Sequence, residues 1–446
     1  MDDRTIFALS TLYGKSGVAV LRISGKDAKQ VIVKMTRLDS ENISPRHMYY
    51  SPLYHYQTGE VLDQVMIVFF AAPNSFTGED TVEINCHGSK AVITSVIDSL
   101  GQIENFRLAE AGEFSRRAFY NNKIDLTEAD GLADLIDAET SIQQKTALKQ
   151  LGGTLFSLYE EWRSRLVDIL SLIEAYIDFP DENIPQNTVF KIENGVFKVK
   201  EEIEKHLNSN KISEKIRDGF NVVIAGPTNA GKSSLINALT NRRVSIVSDI
   251  AGTTRDVIDA YVDIKGFPIV FSDTAGLRDT KDEIEKIGID LAKEKIDRAD
   301  YKIFIFDASV DSPQIFEKYI NTEKNYMLVA NKGDLLSENK INDLTKRGCL
   351  LISAKQGKNV EKIIDKIYEY FNKLYSENSS YIITRERYKE GLRECVENLK
   401  LFNLQKEIEL AAEDLRLACR AIGKITGRVE VDEILDKIFS SFCIGK

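Results

Sequence analysis

The hydrophobic positions along the chain divide it into segments with different periodicities. Short runs rich in β-branched and apolar residues, separated by Gly, Pro and Asn turn signals, extend from residue 6 to about residue 119 and predict an α+β domain. From residue 126 to residue 179 apolar side chains recur every three or four positions, which places them on one face of a helix. The positions that carry this stripe most clearly are Leu155, Leu158, Trp162, Leu166, Ile169 and Ile173.

A third pattern begins after residue 219. Short apolar strands alternate with helical segments as far as about residue 375, which is typical of a doubly wound parallel sheet, and helical periodicity then resumes. Because helical stretches lie on both sides of the α/β segment, we expect them to pack together as one discontinuous helical domain. The predicted domains are residues 1–119 (α+β), 120–215 and 377–446 (the two helical parts) and 216–376 (inserted α/β).

Composition agrees with a multidomain α/β protein. At 446 residues the chain exceeds one ordinary core, since a prior of roughly 150 residues per domain gives about three. Its longest apolar run, residues 65–72, is shorter than the roughly 20 residues that a membrane helix needs. No signal peptide pattern and no C-x-x-C pair is visible, so we expect a cytoplasmic protein with reduced thiols and no membrane association.

The charge balance limits how the chain can meet nucleic acid. With 59 basic and 69 acidic residues the net charge is −10, so any RNA contact must be local. Arg116, Arg117 and Lys123 are candidates for a small basic patch, although three exposed helix charges are the commoner explanation of such residues. His87, in Asn-Cys-His-Gly, is interpreted as a hydrogen-bonded structural residue rather than a ligand.

The segment 226–233 reads Gly-Pro-Thr-Asn-Ala-Gly-Lys-Ser and matches the phosphate-binding pattern G-x-x-x-x-G-K-[ST]. It follows a predicted strand at 221–225 and precedes a predicted helix, which is the required context. Backbone N–H groups of such a loop point at phosphates. Lys232 is then expected to pair with the β and γ oxygens, and the Ser233 hydroxyl to reach Mg²⁺.

Further motifs follow in the order found in GTPases. Asp-Thr-Ala-Gly at 273–276, Asn-Lys-Gly-Asp at 331–334 and Ser-Ala-Lys at 353–355 each come directly after an apolar strand. At such a position Asp273 can hold Mg²⁺ and the Gly276 amide can sense the γ-phosphate. The ordered set predicts a Ras-like P-loop GTPase domain.

The base specificity can be argued from hydrogen bonding. Guanine presents N1–H and an N2 amino group on one edge, and the Asp334 carboxylate can accept both, with Asn331 near the purine and the Lys332 stem over its plane. Adenine has an unprotonated N1 there and leaves Asp334 unpaired. Sites of this kind discriminate by about 10⁴-fold or more, so GTP is the expected nucleotide.

The means of hydrolysis is less usual. Many GTPases have a water-orienting Gln directly after their Asp-x-x-Gly motif, whereas this chain has Leu277 and Arg278. Arg278 is either an arginine finger or a solvated or structural cation, and the sequence leaves both open. Thr254, in the loop between the first two motifs, is a natural second Mg²⁺ ligand.

With these residues in view, the chain resembles the tRNA modification GTPases of the MnmE/TrmE family, which act on C5 of the wobble uridine, over essentially its whole length. The segments that carry the resemblance are Leu-Arg-Ile-Ser-Gly at 21–25, Asn-Ser-Phe-Thr-Gly-Glu-Asp at 74–80, Gly-Glu-Phe at 112–114, Arg-Ala-Phe at 117–119, Lys-Ile-Asp-Leu at 123–126, Asp-Ile-Ala-Gly-Thr-Thr at 249–254 and Phe-Cys-Ile-Gly-Lys at 442–446.

The resemblance implies that a K⁺ ion takes the place of an arginine finger and that Glu285 orients the attacking water. The implied K⁺ ligands are Asn229, Ser248, Ile250 and Thr253. Together with the motifs, the resemblance assigns nucleotide binding to Asn229, Ala230, Gly231, Lys232, Ser233, Ser234, Ser248, Asp249, Ile250, Ala251, Gly252, Thr253, Thr254, Asp273, Thr274, Ala275, Gly276, Asn331, Lys332, Asp334, Ser353, Ala354 and Lys355.

The resemblance also implies that the first domain mediates homodimerisation and binds a 5-formyl- or methylene-tetrahydrofolate as one-carbon donor. The implied folate contacts are Arg22, Glu83, Lys123 and Lys446, and Cys443 is the implied reactive residue. An FAD-containing partner protein would cooperate in adding a carboxymethylaminomethyl or aminomethyl group to tRNA. The alternative is a ribosome-associated or signalling GTPase without RNA chemistry, and folate binding by the first domain discriminates between the two.

Overall fold

The computed structural model describes the chain apart from residues 1, 40, 179–184, 210–212, 241–258, 274–295, 318–324, 379–384, 430–434, 436–437, 441, 443–444 and 446. Internal contacts divide the chain into two units, and neither is continuous in sequence. The first comprises residues 1–133, 150–174 and 412–446, and the second comprises residues 134–149 and 175–411.

The first unit contains a mixed sheet. Its described strands are β1 (Thr5–Leu9), β2 (Ser16–Ser24), β3 (Met48–Tyr54), β4 (Val61–Phe70), β5 (Thr81–Gly88) and β6 (Phe106–Leu108), in the order β3-β4-β5-β2-β1-β6. All neighbours are antiparallel except β1 and β6, which run parallel. The predicted α+β fold of this region is confirmed.

Alternation along the strands decides which face of this sheet is covered. Leu21 and Ile23 of β2 are fully buried, as are their register partners Ile84 and Val82 of β5. Helices α1 (Gln30–Met35) and α2 (Lys90–Gly101) supply the apolar side chains that complete this core. The side chains at the intervening positions of these strands point to the other face of the sheet.

A smaller cluster of buried apolar side chains joins the C-terminal segment to the rest of the first unit: Leu126, Ala129, Leu435, Ile438, Phe439 and Phe442. Gly112, before helix α3 (Glu113–Tyr120), has φ 65°, and a Cβ there would lie 2.3 Å from the Phe439 carbonyl oxygen. Gly445 has φ 97°, and its carbonyl oxygen accepts a hydrogen bond from Ser10 Oγ at 3.1 Å. The Ser10 bond places Gly445 at the end of β1, and the absence of a side chain at Gly112 lets the Phe439 backbone lie close to the start of α3.

The helical periodicity after residue 126 forms three successive helices rather than one. They are α4 (Leu126–Ile136), α5 (Ser141–Leu151) and α6 (Thr154–Asp178), followed by α7 (Gln186–Ser209) and α8 (Ser213–Asp218). The later helices are α12 (Glu386–Leu401) and α13 (Ile408–Thr426). Within the described residues, no helix is both long and apolar enough to cross a bilayer.

Helices on the two sides of the inserted domain contact each other within each unit. In the second unit α7 packs against α12. In the first, Arg416 of α13 forms an ion pair with Glu174 of α6 at 2.6 Å. The early and late helical stretches therefore meet, as expected from their positions on the two sides of the inserted domain.

The inserted domain contains the second sheet. Its described strands are β7 (Phe220–Ala225), β8 (Asp259–Ile264), β9 (Phe267–Asp273), β10 (Tyr301–Asp307), β11 (Tyr326–Asn331) and β12 (Leu350–Leu351), in the order β12-β11-β10-β7-β9-β8. The helices of this domain are α9 (Lys232–Thr240), α10 (Glu338–Lys346) and α11 (Val360–Asn378). The sheet is parallel except for β8, which pairs antiparallel with β9 at one edge.

Burial explains the parallel arrangement. Every residue of β10 is buried, as expected for a central strand that is covered on both faces. Separate hydrophobic clusters occupy the two faces: Ile303 and Ile305 belong to one, and Phe304 and Phe306 to the other. The predicted doubly wound sheet is thus confirmed, and the carboxyl ends of its parallel strands meet at one edge.

Candidate functional site

The loop between β7 and α9 has a backbone that only particular residues tolerate. Asn229 and Gly231 have φ values of 62° and 96°, in the left-handed region. A Cβ on Gly226 would lie 1.9 Å from the Ile305 carbonyl oxygen, so the loop passes closely over β10. Glycines at the two ends of the loop are therefore required by its path.

Lys232 lies against the loop that it follows. Its Nζ atom donates to the carbonyl oxygens of Gly226 at 2.7 Å and Pro227 at 3.0 Å. Ser233 and Ser234 follow in the first turn of α9, and both are exposed. The ammonium and the first hydroxyl are thus held at a helix N-terminus, where backbone N–H groups favour an anion.

Asn331 connects three of the predicted motifs. Its side-chain Nδ2 donates to the Ala230 carbonyl oxygen at 2.8 Å, and its Oδ1 accepts from the Ala354 backbone N–H at 3.0 Å. The residue is almost fully buried, so neither bond competes with bulk water. One side chain therefore joins the 226–231 loop to the 353–355 segment.

The base-recognition residues follow Asn331 on the same strand end. Lys332 has φ 61°, and Asp334 lies in a single 3₁₀ turn, Gly333–Leu335. The Gly333 N–H donates to the Ile352 carbonyl oxygen at 2.9 Å, which fixes this turn beside Ser353. The Asp334 carboxylate accepts a hydrogen bond from Gln356 Nε2 at 3.3 Å.

Asp307 and Gln356 contact these residues, and the sequence reasoning did not select either. Asp307 ends β10, and its Oδ2 atom accepts from Lys332 Nζ at 2.5 Å. Burial alone would raise the pKa of Asp307, but hydrogen bonds from Lys332 and Ser309 hold it below its ordinary value. The available signal was its place: like Asp273, it is a carboxylate at the end of an apolar strand.

Several predicted residues of the nucleotide site lie outside the described residues or are described only in part. Asp273 ends β9, with its backbone beside Ile224 of β7. The predicted residues outside the described part are Ser248, Asp249, Ile250, Ala251, Gly252, Thr253, Thr254, Thr274, Ala275, Gly276, Arg278 and Glu285. Of the predicted nucleotide contacts, the structure brings together the 229–234 loop, Asn331, Lys332, Asp334 and the 353–355 segment.

In the first unit, the structure brings Arg22 and Glu83 together. They face each other on β2 and β5, and Arg22 Nε donates to Glu83 Oε1 at 2.9 Å. The guanidinium also lies 5.8 Å from the Phe76 ring centroid and 5.9 Å from that of Phe114. Both charged side chains are about a quarter exposed, so the pair forms a charged, half-open site flanked by aromatic rings.

Lys123 organises the loop that carries Phe76. Its Nζ atom donates to the Pro73 carbonyl oxygen at 2.9 Å, and Asn121 Nδ2 donates to the Thr77 carbonyl oxygen at 2.7 Å. Lys123 is exposed, so its ammonium also faces solvent. The other residues assigned to this region, Cys443 and Lys446, lie outside the described residues.

The structure corrects the suggested basic patch. Arg117 is only 4% exposed and forms ion pairs with Glu79 and Glu113, each at 3.1 Å. It also donates to the Arg4 carbonyl oxygen at 2.8 Å. Its charge is neutralised inside the domain, so neither an RNA patch nor an exposed helix charge describes it. Glu113, one helical turn away, is visible in the sequence as a partner, but the second acidic partner, Glu79, is distant in sequence.

The interpretation of His87 is confirmed in part. Its Nδ1 atom lies 2.8 Å from Asp63 Oδ1, and its backbone N–H donates to Asp63 Oδ2 at 2.7 Å. The residue is hydrogen-bonded to the neighbouring strand, as expected. The imidazole ring is nevertheless 67% exposed.

The loop after β7, the asparagine that ties it to the strand ends, and the base-reading carboxylate together define a P-loop GTPase. Family models extend this conclusion beyond the inserted domain: residues 5–123 match the model "GTP-binding protein TrmE N-terminus" and residues 126–443 match "MnmE helical domain". The chain therefore belongs to the MnmE/TrmE family of tRNA modification GTPases.

Curated relatives match over the full length. The chain is 46% identical over 445 residues to "tRNA modification GTPase MnmE" of Rickettsia bellii, covering 99% of this chain and 100% of that protein. It is 43% identical, with the same coverage, to the protein of that name from Rickettsia typhi. A solved structure of Era with MgGDPNP and a 16S rRNA fragment is 30% identical and covers 34% of this chain and 56% of that one. The two structures superpose with a TM-score of 0.28.

Proposed function

We propose that this protein is a K⁺-stimulated GTPase whose nucleotide cycle drives modification of tRNA. Together with an FAD-containing partner protein, it adds a carboxymethylaminomethyl or aminomethyl group to C5 of the wobble uridine. The observation that carries the proposal is the Asn331 side chain, which joins the phosphate loop to the 353–355 segment. This guanine nucleotide site lies in a chain similar to MnmE proteins over its whole length.

In this proposal the residues of the inserted domain bind and orient the nucleotide. Lys232 and the N-terminus of α9 hold the β- and γ-phosphates, and Asp334 accepts the guanine N1–H and N2 amino protons. Ser233 in the first turn of α9 and Asp273 at the end of β9 supply oxygen donors suited to Mg²⁺, with Thr254 as a further ligand. Mg²⁺ neutralises phosphate charge when bound.

K⁺ is proposed as the second cation of this site, with Glu285 orienting the attacking water. The support within the described residues is Asn229, an exposed amide held by a left-handed backbone in the phosphate loop. Ser248, Ile250 and Thr253 complete the proposed ligands. A monovalent cation there stabilises transition-state charge as an arginine would.

The K⁺ assignment is tested by the rate of GTP hydrolysis in KCl and in NaCl at equal ionic strength. We expect the rate to be about tenfold or more higher in KCl, and Asn229→Ala to remove most of that difference. Asn325→Ala is the matched control, because this asparagine directly precedes β11 at the end that is remote from the phosphate loop. This variant should keep the difference in rate between KCl and NaCl. Equal rates in the two salts would exclude K⁺ stimulation.

The first domain is proposed to bind a tetrahydrofolate derivative, in its 5-formyl or methylene form, at Arg22, Glu83, Lys123 and Lys446. The charged pair Arg22–Glu83 next to Phe76 and Phe114 suits a ligand with a flat polar ring and carboxylates. Cys443, which lies three positions before Lys446 in the sequence, is proposed as the reactive residue. The protein would act as a cytoplasmic homodimer.

Folate binding is tested by isothermal titration with 5-formyltetrahydrofolate. Arg22→Ala should weaken binding by about tenfold or more, because it removes a charge-assisted contact and leaves Glu83 without its ion pair. Arg37→Ala, which removes an exposed guanidinium beside Tyr54 on the edge strand β3, should leave affinity unchanged. No affinity in the unaltered protein would favour the ribosome-associated or signalling alternative.

The complete proposal is tested by mass analysis of wobble uridines in tRNA from cells that lack the gene. Expression of the unaltered chain should restore the C5 modification, and expression of Lys232→Ala at the same level should not. Unmodified and modified uridines in the same proportion with and without the gene would refute a role in this chemistry.

A further inference from the structure

Asp307 contacts the base-recognition motif without belonging to any motif. It is the last residue of β10, directly opposite Asn331 in the register of β10 and β11. Its Oδ2 atom lies 2.5 Å from Lys332 Nζ. The carboxylate side chain is 11% exposed and that of the lysine 36%, so the ion pair lies at the rim of the site rather than in open solvent.

The carboxylate is itself held in place. Its Oδ1 atom accepts from the backbone N–H of Ser309 at 3.0 Å and from the Ser309 hydroxyl at 2.5 Å. The Ala308 N–H donates to the Asn331 carbonyl oxygen at 3.0 Å, which ties the turn after β10 to the end of β11. Each carboxylate oxygen thus has its own donors, and its orientation is fixed by two strand ends.

The lysine needs such an anchor. Its backbone is left-handed, and its long side chain samples many rotamers unless something fixes the ammonium. Binding a base against a mobile stem would cost that freedom at the moment of binding. When Asp307 already binds the ammonium, the aliphatic stem of Lys332 is restricted to one position. Lys332 lies two residues before Asp334, so this stem is next to the expected position of the purine plane.

We propose that Asp307 is a positioning residue for guanine nucleotide binding: it anchors the Lys332 ammonium so that the lysine stem is preorganised as the platform for the base. The inference rests on guanine nucleotide binding at this site. Asp307 does not contact the phosphates in this proposal, so it contributes to affinity and not to the hydrolytic step.

The first test compares Asp307→Asn with the unaltered protein by titration of a fluorescent GDP and by steady-state GTP hydrolysis. We expect the Kd for GDP and the KM for GTP to rise by about five- to tenfold, with kcat within about twofold. Asp311→Asn removes a negative charge from the same turn and is the matched control, with affinity unchanged. An unchanged Kd in Asp307→Asn would overturn the inference.

The second test asks whether Asp307 acts through Lys332. Lys332→Met keeps an aliphatic stem but removes the ammonium, so it should lose about as much affinity as Asp307→Asn, and the double variant should lose no more than either. Additive losses would overturn the inference.

A third variant protects the test against misfolding. Ser309→Ala removes one of the bonds that orient Asp307 and should weaken GDP binding in the same direction but less, with an unchanged melting temperature in the absence of nucleotide. Wild-type affinity in Ser309→Ala together with a collapsed Asp307→Asn fold would overturn the inference. A wild-type protein that binds no GDP would instead refute the GTPase function on which the inference rests.

Discussion

Asn331 is the side chain that joins the phosphate loop to the 353–355 segment. Replacement by Ala removes the bonds to the Ala230 carbonyl oxygen and the Ala354 N–H, and leaves both backbone groups poorly satisfied. At about 1 kcal/mol for each bond, we expect GDP affinity to fall by about 10- to 100-fold. Titration of a fluorescent GDP measures this loss.

Asn325 provides the matched control for that substitution. It lies at the other end of β11, where its Nδ2 atom donates to the Asp300 carbonyl oxygen at 2.7 Å. Asn325→Ala removes a comparable bond far from the strand ends that carry the motifs, so GDP affinity should stay at the wild-type level. Equal losses in the two variants would mean that the effect of Asn331 is on stability alone.

Individual residues differ in how far the sequence predicts them. Asp334 could be proposed from the sequence because guanine offers two donors to a carboxylate, and Asn331 because it opens the same motif. The sequence did not indicate that the amide of Asn331 bonds to Ala230 and Ala354. Gln356 and the burial of Arg117 could not be predicted, since Asp334 and Glu79, their partners, are distant in sequence. The place of Asp307 at a strand end also did not indicate its pairing with Lys332. Spacing carries no information on such contacts.

Helix α7 contains a buried histidine that predicts how stability depends on pH. His206 is 7% exposed, and burial lowers the pKa of its imidazole from 6.5 to about 4. Between these values the unfolded state binds more protons than the folded state, so stability falls as the pH falls through this window. We expect the urea midpoint, followed by circular dichroism, to decrease between pH 7 and pH 5 partly because of this group.

His206→Gln isolates that contribution, because glutamine does not titrate. This variant should show a smaller decrease in urea midpoint between the same pH values, and His47→Gln, at an exposed position, should follow the wild type. If His206→Gln and the wild type lost the same amount, the burial of His206 would not be the cause.

The elements of the inserted domain show what periodicity can and cannot predict. The central strands were predictable because a strand buried on both faces is a continuous apolar run. The antiparallel pairing of β8 with β9, and the attachment of α5 to their turn, were not. Gln143 Nε2 donates to Tyr261 Oη at 3.0 Å, and Ile142 N donates to the Gly266 carbonyl oxygen at 3.3 Å. Such attachments join residues more than a hundred positions apart.

The organisation of the complete chain follows from sequence order to a large extent. An α/β segment between two helical stretches implies an insertion, and helices from both stretches do contact each other. The contacts nevertheless assign residues 134–149 and 175–411 to one unit, so α4, α5, α6 and α13 are shared between units. Periodicity indicates which face of a helix is buried but not which neighbour buries it.

Guanine selectivity by the assembled strand ends is the central claim for this protein. Competition for bound fluorescent GDP by unlabelled GTP and ATP measures it directly. GTP should displace the probe at concentrations about 10⁴-fold lower than ATP, because only guanine satisfies the Asp334 carboxylate. Displacement by both nucleotides at similar concentrations would contradict the account.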